Sequence, residues 1–381
     1  MYNEQDAICA KIKFYDSSHL IDRFFIRFGN DIARFGENIY IYNPTTGLWN
    51  QDGDFNNANN RSLGLLVDET LKSLSREKEL IKDFHAGSET LKDFHRFMNR
   101  MNNMAHSSFI RKIENDVRLV KFSPQKLDAI PHYLAVNNGV IDLKSGALLN
   151  FTREFYLSYG VDIDFDPMAE SHNWNKLLDS VWNGDQEMMD YFQKLVGFMI
   201  RDEVDHDSLG AYFLFGNGAN GKGTILDTLG AILPSSIFGS LDSSYLDKSK
   251  GKTISGTNEE IANIATCRFV RTTETNEGFR LDDANLKKIV SGGVKFIVSR
   301  KYKPSFEVEL KKQILVDTNF LPYLESLDDG TRRRIQVIPF PNTYKSPDAP
   351  EFDPAKHRPS DPALKTKLLK EAAGIFRWII E

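Results

Sequence analysis

Phe213 to Thr224 reads FLFGNGANGKGT, an apolar run entering a glycine-rich turn and leaving it in a helical pattern. Gly216, Gly218 and Gly221 tolerate positive φ. Backbone N–H groups of the loop, from Gly216 through Asn217, Gly218, Ala219, Asn220 and Gly221 to Gly223, can therefore turn inward onto phosphate oxygens. The helix that starts near Gly221 adds the partial positive charge of its N-terminus, and Lys222 reaches the β- and γ-phosphates. The spacing Gly216-x₄-Gly221-Lys222 is that of an ATP-binding P-loop. It departs at the next position, where Gly223 replaces the hydroxyl expected on Mg²⁺ and leaves Thr224 as the available ligand. A glycine-rich turn with an incidental lysine is the bland alternative. A strand before and a helix after favour the phosphate.

Three further features could serve phosphate chemistry. CRFVRTTE is an apolar-leaning strand ending in Glu274, where a carboxylate beside the loop can orient and deprotonate water. KQILVDTN is a buried strand ending in Asn319, placed to hydrogen-bond the γ-phosphate or that water. Arg332, Arg333 and Arg334 precede IQVIPF as candidate arginine fingers. From Lys287 to Lys312 eight basic residues face only Glu307 and Glu309. KFIVSR and FEVEL read there as hairpin arms around KYKPS, presenting Arg300, Lys301 and Lys303 to nucleic-acid phosphates and Tyr302 to a base. A solvated basic hairpin is the plain reading of that run taken by itself.

The elements that must carry these residues follow from length and pattern. A chain of 381 residues with 41% apolar and 27% charged residues supports several folded domains and argues against extended disorder. Its 27 phenylalanines predict aromatic cores, and its formal charge of −5 argues against a protein coated in nucleic acid. Cys9 and Cys267 build neither a disulfide framework nor a zinc site, which suits a reducing, cytoplasmic compartment. MYNEQDAICAK does not read as a signal peptide, and no apolar run approaches the ~20 residues of a membrane span.

Residues 1–128 read as a mixed, largely helical domain. HLIDRFFIRFGNDIARF has helical spacing, NIYIYNPTTGLWNQDG reads as two strands, and 60–120 is a charged helical stretch. The echo of His85 at His95 sets the two on different helix faces, against paired metal ligation. Residues 129–204 form a hairpin around Asn138-Gly139 and a helical connecting region. Residues 205–345 alternate strands and helices as an α/β core, and 346–381 are a Pro- and Asp-rich tail with one closing amphipathic helix. That helix stops without a cap, as in a piece of a longer chain. Asp162, Asp164 and Asp166 with Ser171 and His172 imitate a primase centre, but the two elements are too close to hold the intervening fold.

The run GNGANGKGT, RFVRTTETNEG, SGGVKFIVSRKYKPSFEV, KQILVDTNFLP and RRRIQVIPF resembles the superfamily 3 helicases. It is most similar there to the phage, plasmid and poxvirus primase-helicases. YNPTTGLWNQD, NNGVIDLKSG and DFDP resemble that family's N-terminal helicase-associated region, so the likeness covers nearly the whole chain. It implies an AAA+-like ATPase using ATP and Mg²⁺, assembled with copies of itself as a ring, usually a hexamer. Such a ring moves 3′ to 5′ on single-stranded or forked DNA during phage, plasmid or viral replication, in the host cytoplasm where the source is viral. A primase or polymerase is often fused or associated. By position Lys222 contacts phosphate, Glu274 is the Walker B carboxylate, Asn319 the sensor, and Arg333 the finger on the neighbouring subunit's ATP, with Arg334 beside it. Thr273 stands where the family has a second acid, and Gly292-Gly293-Val294 replaces its Gly-Gly-Asp. Two other functions fit the same residues, an ATP-gated DNA-binding initiator or loader, and a P-loop kinase acting on a small molecule.

Overall fold

The computed structural model describes residues 4–12, 17–35, 38–53, 62–84, 88–104, 106–121, 127–201, 210–301, 305–325 and 328–381. Two compact units emerge, one of residues 1–135 with 150–159 and one of residues 136–149 with 160–381.

The first unit contains α1 (Glu4–Ala10), α2 (Ser18–Phe28), β1 (Ile32–Phe35), β2 (Asn38–Asn43), β3 (Leu48–Gln51), α3 (Leu63–Phe84), α4 (Ser88–Asn102) and α5 (His106–Glu114). The expected helix through HLIDRFFIRFGNDIARF ends at Phe28. Gly29, Asn30 and Asp31 are poor helix residues, and Ile32–Phe35 instead pairs antiparallel with β2. The strand pair read in NIYIYNPTTGLWNQDG forms as β2 and β3. Leu20, Phe24, Leu74, Phe94 and Phe109 are buried together between the helices. Inside this helical unit lies a charged knot, in which Arg23 and Arg27 each reach Glu77 at 2.7 Å and Arg27 also reaches Asp6 at 2.8 Å. Nearby, burial pushes the Cys9 thiol up to about 11. His95 is exposed on α4, whereas His85 lies outside the described residues.

The chain passes between units within β4 (Tyr133–Val136). In the second unit come β5 (Gly139–Asp142) and β6 (Ala147–Leu149), an antiparallel pair, then α6 (His172–Trp182) and α7 (Gln186–Arg201). The mixed core follows as β7 (Ala211–Phe215), α8 (Lys222–Ile232), β8 (Phe238–Leu241), β9 (Gly256–Thr257), α9 (Glu259–Ile264) and β10 (Phe269–Thr272). It continues with α10 (Asp283–Val290), β11 (Lys295–Ser299), β12 (Phe306–Glu309), β13 (Gln313–Thr318), α11 (Asp329–Arg332) and β14 (Ile335–Pro339). Five strands form a parallel sheet in the order β14-β7-β13-β10-β8. Such a sheet is covered on both faces, which is why AYFLF and QILV read as unbroken apolar runs. β8, in IFGSL, is a strand that the pattern reading did not pick out.

The tail contributes β15 (Thr343–Lys345), β16 (His357–Pro359), α12 (Leu364–Lys370) and α13 (Ala372–Ile380). The single closing helix expected from sequence is thus broken at Glu371. Its carboxylate turns to cap α6, accepting from the backbone N–H of Asn173 at 2.9 Å and of Trp174 at 3.2 Å. No strand forms over 161–167. Asp162 accepts from Asn137, Asp166 from the N–H of Met168, and His172 begins α6 paired with Glu170. Among the described residues no helix is long and apolar enough to cross a membrane.

Candidate nucleotide site

The glycine-rich loop joins the carboxyl end of β7 to α8, with Gly221 at the N-cap. Parallel sheets bind ligands at such strand ends, beyond their carboxyl termini. Gly218 and Gly221 hold φ at +87° and +88°, and Ala219 between them holds +47°. A non-glycine residue in that region is strained, and strain of this kind collects at ligand-binding loops. Gly216 is needed for another reason than the positive φ anticipated. A Cβ there would stand 2.0 Å from Nδ2 of Asn220 and 2.6 Å from the carbonyl of Phe340.

Lys222 opens α8 with its side chain turned back under the loop, and the residue is only 3% exposed. Its ammonium donates to the carbonyl of Gly216 at 2.9 Å, to Oδ1 of Asn220 at 3.2 Å and to Oδ1 of Asn319 at 2.8 Å. The carboxylate of Asp317 lies 3.8 Å away. Burial pulls the Lys222 ammonium below the usual lysine range, opposed by Asp317 and Glu274. Burial likewise raises the Asp317 carboxyl, opposed by Lys222.

Asn319, just beyond β13, donates through Nδ2 to Oε1 of Glu274, which is exposed beyond the end of β10. One amide therefore links the lysine to the carboxylate. Gly218 through Thr224, Glu274, Asp317 and Asn319 line a common cleft of about 300 Å³. Asp317 went unremarked in the strand reading of KQILVDTN. Its signal there was an acid placed directly after the apolar run Ile314–Val316. Thr273 lies outside the lining, its hydroxyl engaged by the N–H of Ser243 at 3.0 Å and by Oγ of Ser243 at 3.2 Å. Across the loop a second cleft of about 370 Å³ has a mixed lining, apolar at Leu177, Tyr344 and Leu364 and charged at Asp227, Asp361 and Lys365.

Arg333 and Arg334 line neither cleft. Asp328 caps α11 by accepting from the N–H of Thr331, and Lys287 reaches it at 2.8 Å. Together these donors hold the Asp328 carboxyl well below the usual range. Arg334 turns inward, with Nε on Oγ of Ser291 at 2.7 Å and Nη1 on the carbonyl of Gly330 at 2.5 Å. Arg333 is exposed.

β11 and β12 form the expected hairpin arms. Arg300 donates to the carbonyl of Ala262 and to Oδ1 of Asn263, while the backbone N–H of Lys301 donates to Glu259. Tyr302 and Lys303 lie outside the described residues. Several positive charges of this stretch are used internally. Lys287 pairs with Asp283 and Asp328, Lys295 pairs with Glu307, and Lys312 is buried with its ammonium on the carbonyl of Cys267.

Residues 20–183 match the family described as D5 N terminal like, and residues 214–334 match a family of unknown function, DUF5906. A protein of Acanthamoeba polyphaga mimivirus named as a helicase, L207/L206, is 26% identical over 251 residues. That alignment covers 64% of this chain and 25% of the mimivirus protein, so the chain spans about a quarter of that relative's length. Apo structures of the NrS-1 C-terminal region overlap 57% of this chain and 47% of theirs, at 16% and 18% identity and a TM-score of 0.42. By these comparisons the chain carries a D5 N-terminal-like segment and is similar, over part of its length, to a viral protein named as a helicase.

Proposed function

We propose that this chain is the ATP-hydrolysing core of a replicative DNA helicase, AAA+-like and of superfamily 3, working as a ring on single-stranded or forked DNA. The observation that carries the reading is the hydrogen-bonded line from Lys222 through Asn319 to Glu274 at the mouth of a glycine-rich loop. A charge that reads phosphate and a carboxylate that can take a proton are there held by one neutral amide, a combination suited to phosphoryl transfer to water.

In this reading the loop N–H groups from Gly218 to Gly223 bind phosphate oxygens, and the cleft beside Tyr344 receives the nucleoside. Lys222 moves its ammonium from the carbonyl of Gly216 to the terminal phosphate. Glu274 accepts the proton of the attacking water at a carboxylate oxygen, and Asn319 orients that water. Hard oxygen ligands suit Mg²⁺, and the cleft offers the Thr224 hydroxyl to hold it beside the nucleotide. When bound, Mg²⁺ neutralises charge on the phosphates. Arg333, exposed and outside the lining of its own cleft, acts on the ATP of a neighbouring copy. Lys301, Tyr302 and Lys303 contact the strand. A primase, fused or associated, supplies the partner activity.

The test is strand displacement on a forked duplex alongside DNA-stimulated ATPase, comparing the unaltered chain with Glu274→Gln. Displacement with a 3′ tail, lost in the variant, supports the helicase. DNA-stimulated turnover without displacement indicates a loader, and turnover by a monomer indifferent to DNA indicates a kinase.

A further inference from the structure

One acid in the phosphate cleft has no part in the scheme above. Asp317 lies on β13 two residues before Asn319, and the alternation of a strand sends both side chains to the same side. Thr273, where a second acid would precede Glu274, is bonded to Ser243 and does not face the loop. The adjacent strand fills that gap. Arg271 stands opposite Leu315 and Thr275 opposite Thr318, which sets Asp317 across from the Thr273–Glu274 turn. The N–H of Thr275 donates to the Asp317 carbonyl at 3.2 Å and ties the two strand ends together.

The Asp317 side chain is 22% exposed and its Oδ1 is 3.8 Å from the Lys222 ammonium, too far for a hydrogen bond. Among the described residues none donates a hydrogen bond to its carboxylate. A largely covered carboxylate left with open lone pairs at a phosphate-binding cleft is matched to donors that arrive with the ligand.

We infer that Asp317 is the acid of the metal-bound nucleotide, a positioning residue whose carboxylate accepts hydrogen bonds from water on Mg²⁺ while Thr224 offers its hydroxyl. The inference rests on the nucleotide reading of the loop. It has a signed consequence. Towards a nucleotide without metal the Asp317 charge is repulsive, and towards the Mg²⁺ complex it is attractive, so it should separate the two affinities.

The experiment is equilibrium titration of the full chain with a fluorescent ADP analogue, in Mg²⁺ and in EDTA. The unaltered chain should bind more tightly with Mg²⁺. Asp317→Asn should lose roughly 10- to 100-fold of that gain, the range seen when outer ligand partners are removed. Its metal-free affinity should be unchanged or tighter, which also shows that the variant is folded. Asp317→Glu should recover part of the gain. Retention of the full Mg²⁺ gain by Asp317→Asn overturns the inference, as does an equal loss with and without metal. Nucleotide binding by the unaltered chain that ignores Mg²⁺ overturns it too while leaving the loop assignment standing. Failure of the unaltered chain to bind nucleotide in either condition overturns both.

Discussion

The Lys222 ammonium donates to the amide oxygen of Asn319 at 2.8 Å, and the amide nitrogen of the same Asn319 donates to Glu274. The residue proposed to meet phosphate and the residue proposed to take the proton are thus held by opposite ends of one side chain. Any ligand that draws Lys222 forward changes the hold on Glu274.

That linkage separates three substitutions. Lys222→Ala should abolish most nucleotide binding, because the buried cation of the cleft lining is lost. Glu274→Gln should bind nucleotide normally and lose roughly 10²- to 10⁴-fold in turnover, the usual worth of a positioned base. Asn319→Ala should also bind, and lose on the order of 10²-fold, the scale of one missing polar group at a reacting centre. Equilibrium binding beside single-turnover hydrolysis distinguishes them. Glu274→Gln turning over at the unaltered rate would assign the base elsewhere.

The basic hairpin makes a prediction about salt. Lys301→Ala with Lys303→Ala should weaken single-strand binding and lower the slope of log affinity against log salt by about 1.4, at ~0.7 per phosphate contact. Lys295→Ala is the control, since its ammonium is already paired with Glu307 at 2.9 Å. Basal ATPase should persist in both variants. An unchanged slope in the double variant would return the hairpin to an ordinary solvated surface.

In the first unit, Glu77 answers Arg23 and Arg27 with its side chain fully buried. Removing the anion leaves two guanidinium groups in the interior with too little counter-charge. Glu77→Ala should cost roughly 3–5 kcal/mol, the penalty typical of a broken buried pair. Thermal melting followed by tryptophan fluorescence would detect it, and a melting curve unchanged from the parent would mean that water reaches the knot.

What could be read in the sequence was what short-range pattern encodes. Strand, glycine turn, lysine and helix lie within twelve residues, so the loop was legible from FLFGNGANGKGT alone. The apolar runs of β7 and β13 were legible because both faces of those strands are covered. The helix overrun through Ile32–Phe35 and the break at Glu371 were not, because each is decided by a partner outside its own run, the next strand in the first case and a helix far along the chain in the second. β2 claims the first, and the N-terminus of α6 claims the second. Asp317 was hidden for the same reason. Its meaning lies across the sheet, opposite Thr273, and no window along the chain contains both. Nor does a count of basic residues reveal that Lys295 and Lys312 are already engaged.

The arginine pair yields the most demanding prediction. Arg334 is tied within its own chain to Ser291 and Gly330, whereas Arg333 is exposed and lies outside its own cleft. If Arg333 completes the site of a neighbouring copy, a lone copy holds a whole phosphate loop and lacks the cation that stabilises the transition state. Fingers of this kind are worth ~10³- to 10⁵-fold in rate. Arg333→Ala should then bind nucleotide, assemble and fail to hydrolyse it. Lys222→Ala should fail for the opposite reason, with an intact finger and no working loop. Mixing the two inactive proteins at fixed total concentration creates interfaces in which a Lys222→Ala copy lends Arg333 to an Arg333→Ala loop. ATPase should reappear, greatest near equal proportions and absent at either end of the titration. Native mass measurement of the mixture checks that the copies have exchanged. No activity at any ratio in a mixture that has exchanged would argue against a finger in trans. Arg334→Ala should not be rescued in the same way, because its contacts lie within one chain. Rescue of Arg334→Ala but not of Arg333→Ala would move the role one residue along, and full activity of an Arg333→Ala monomer would remove the neighbouring copy from the mechanism.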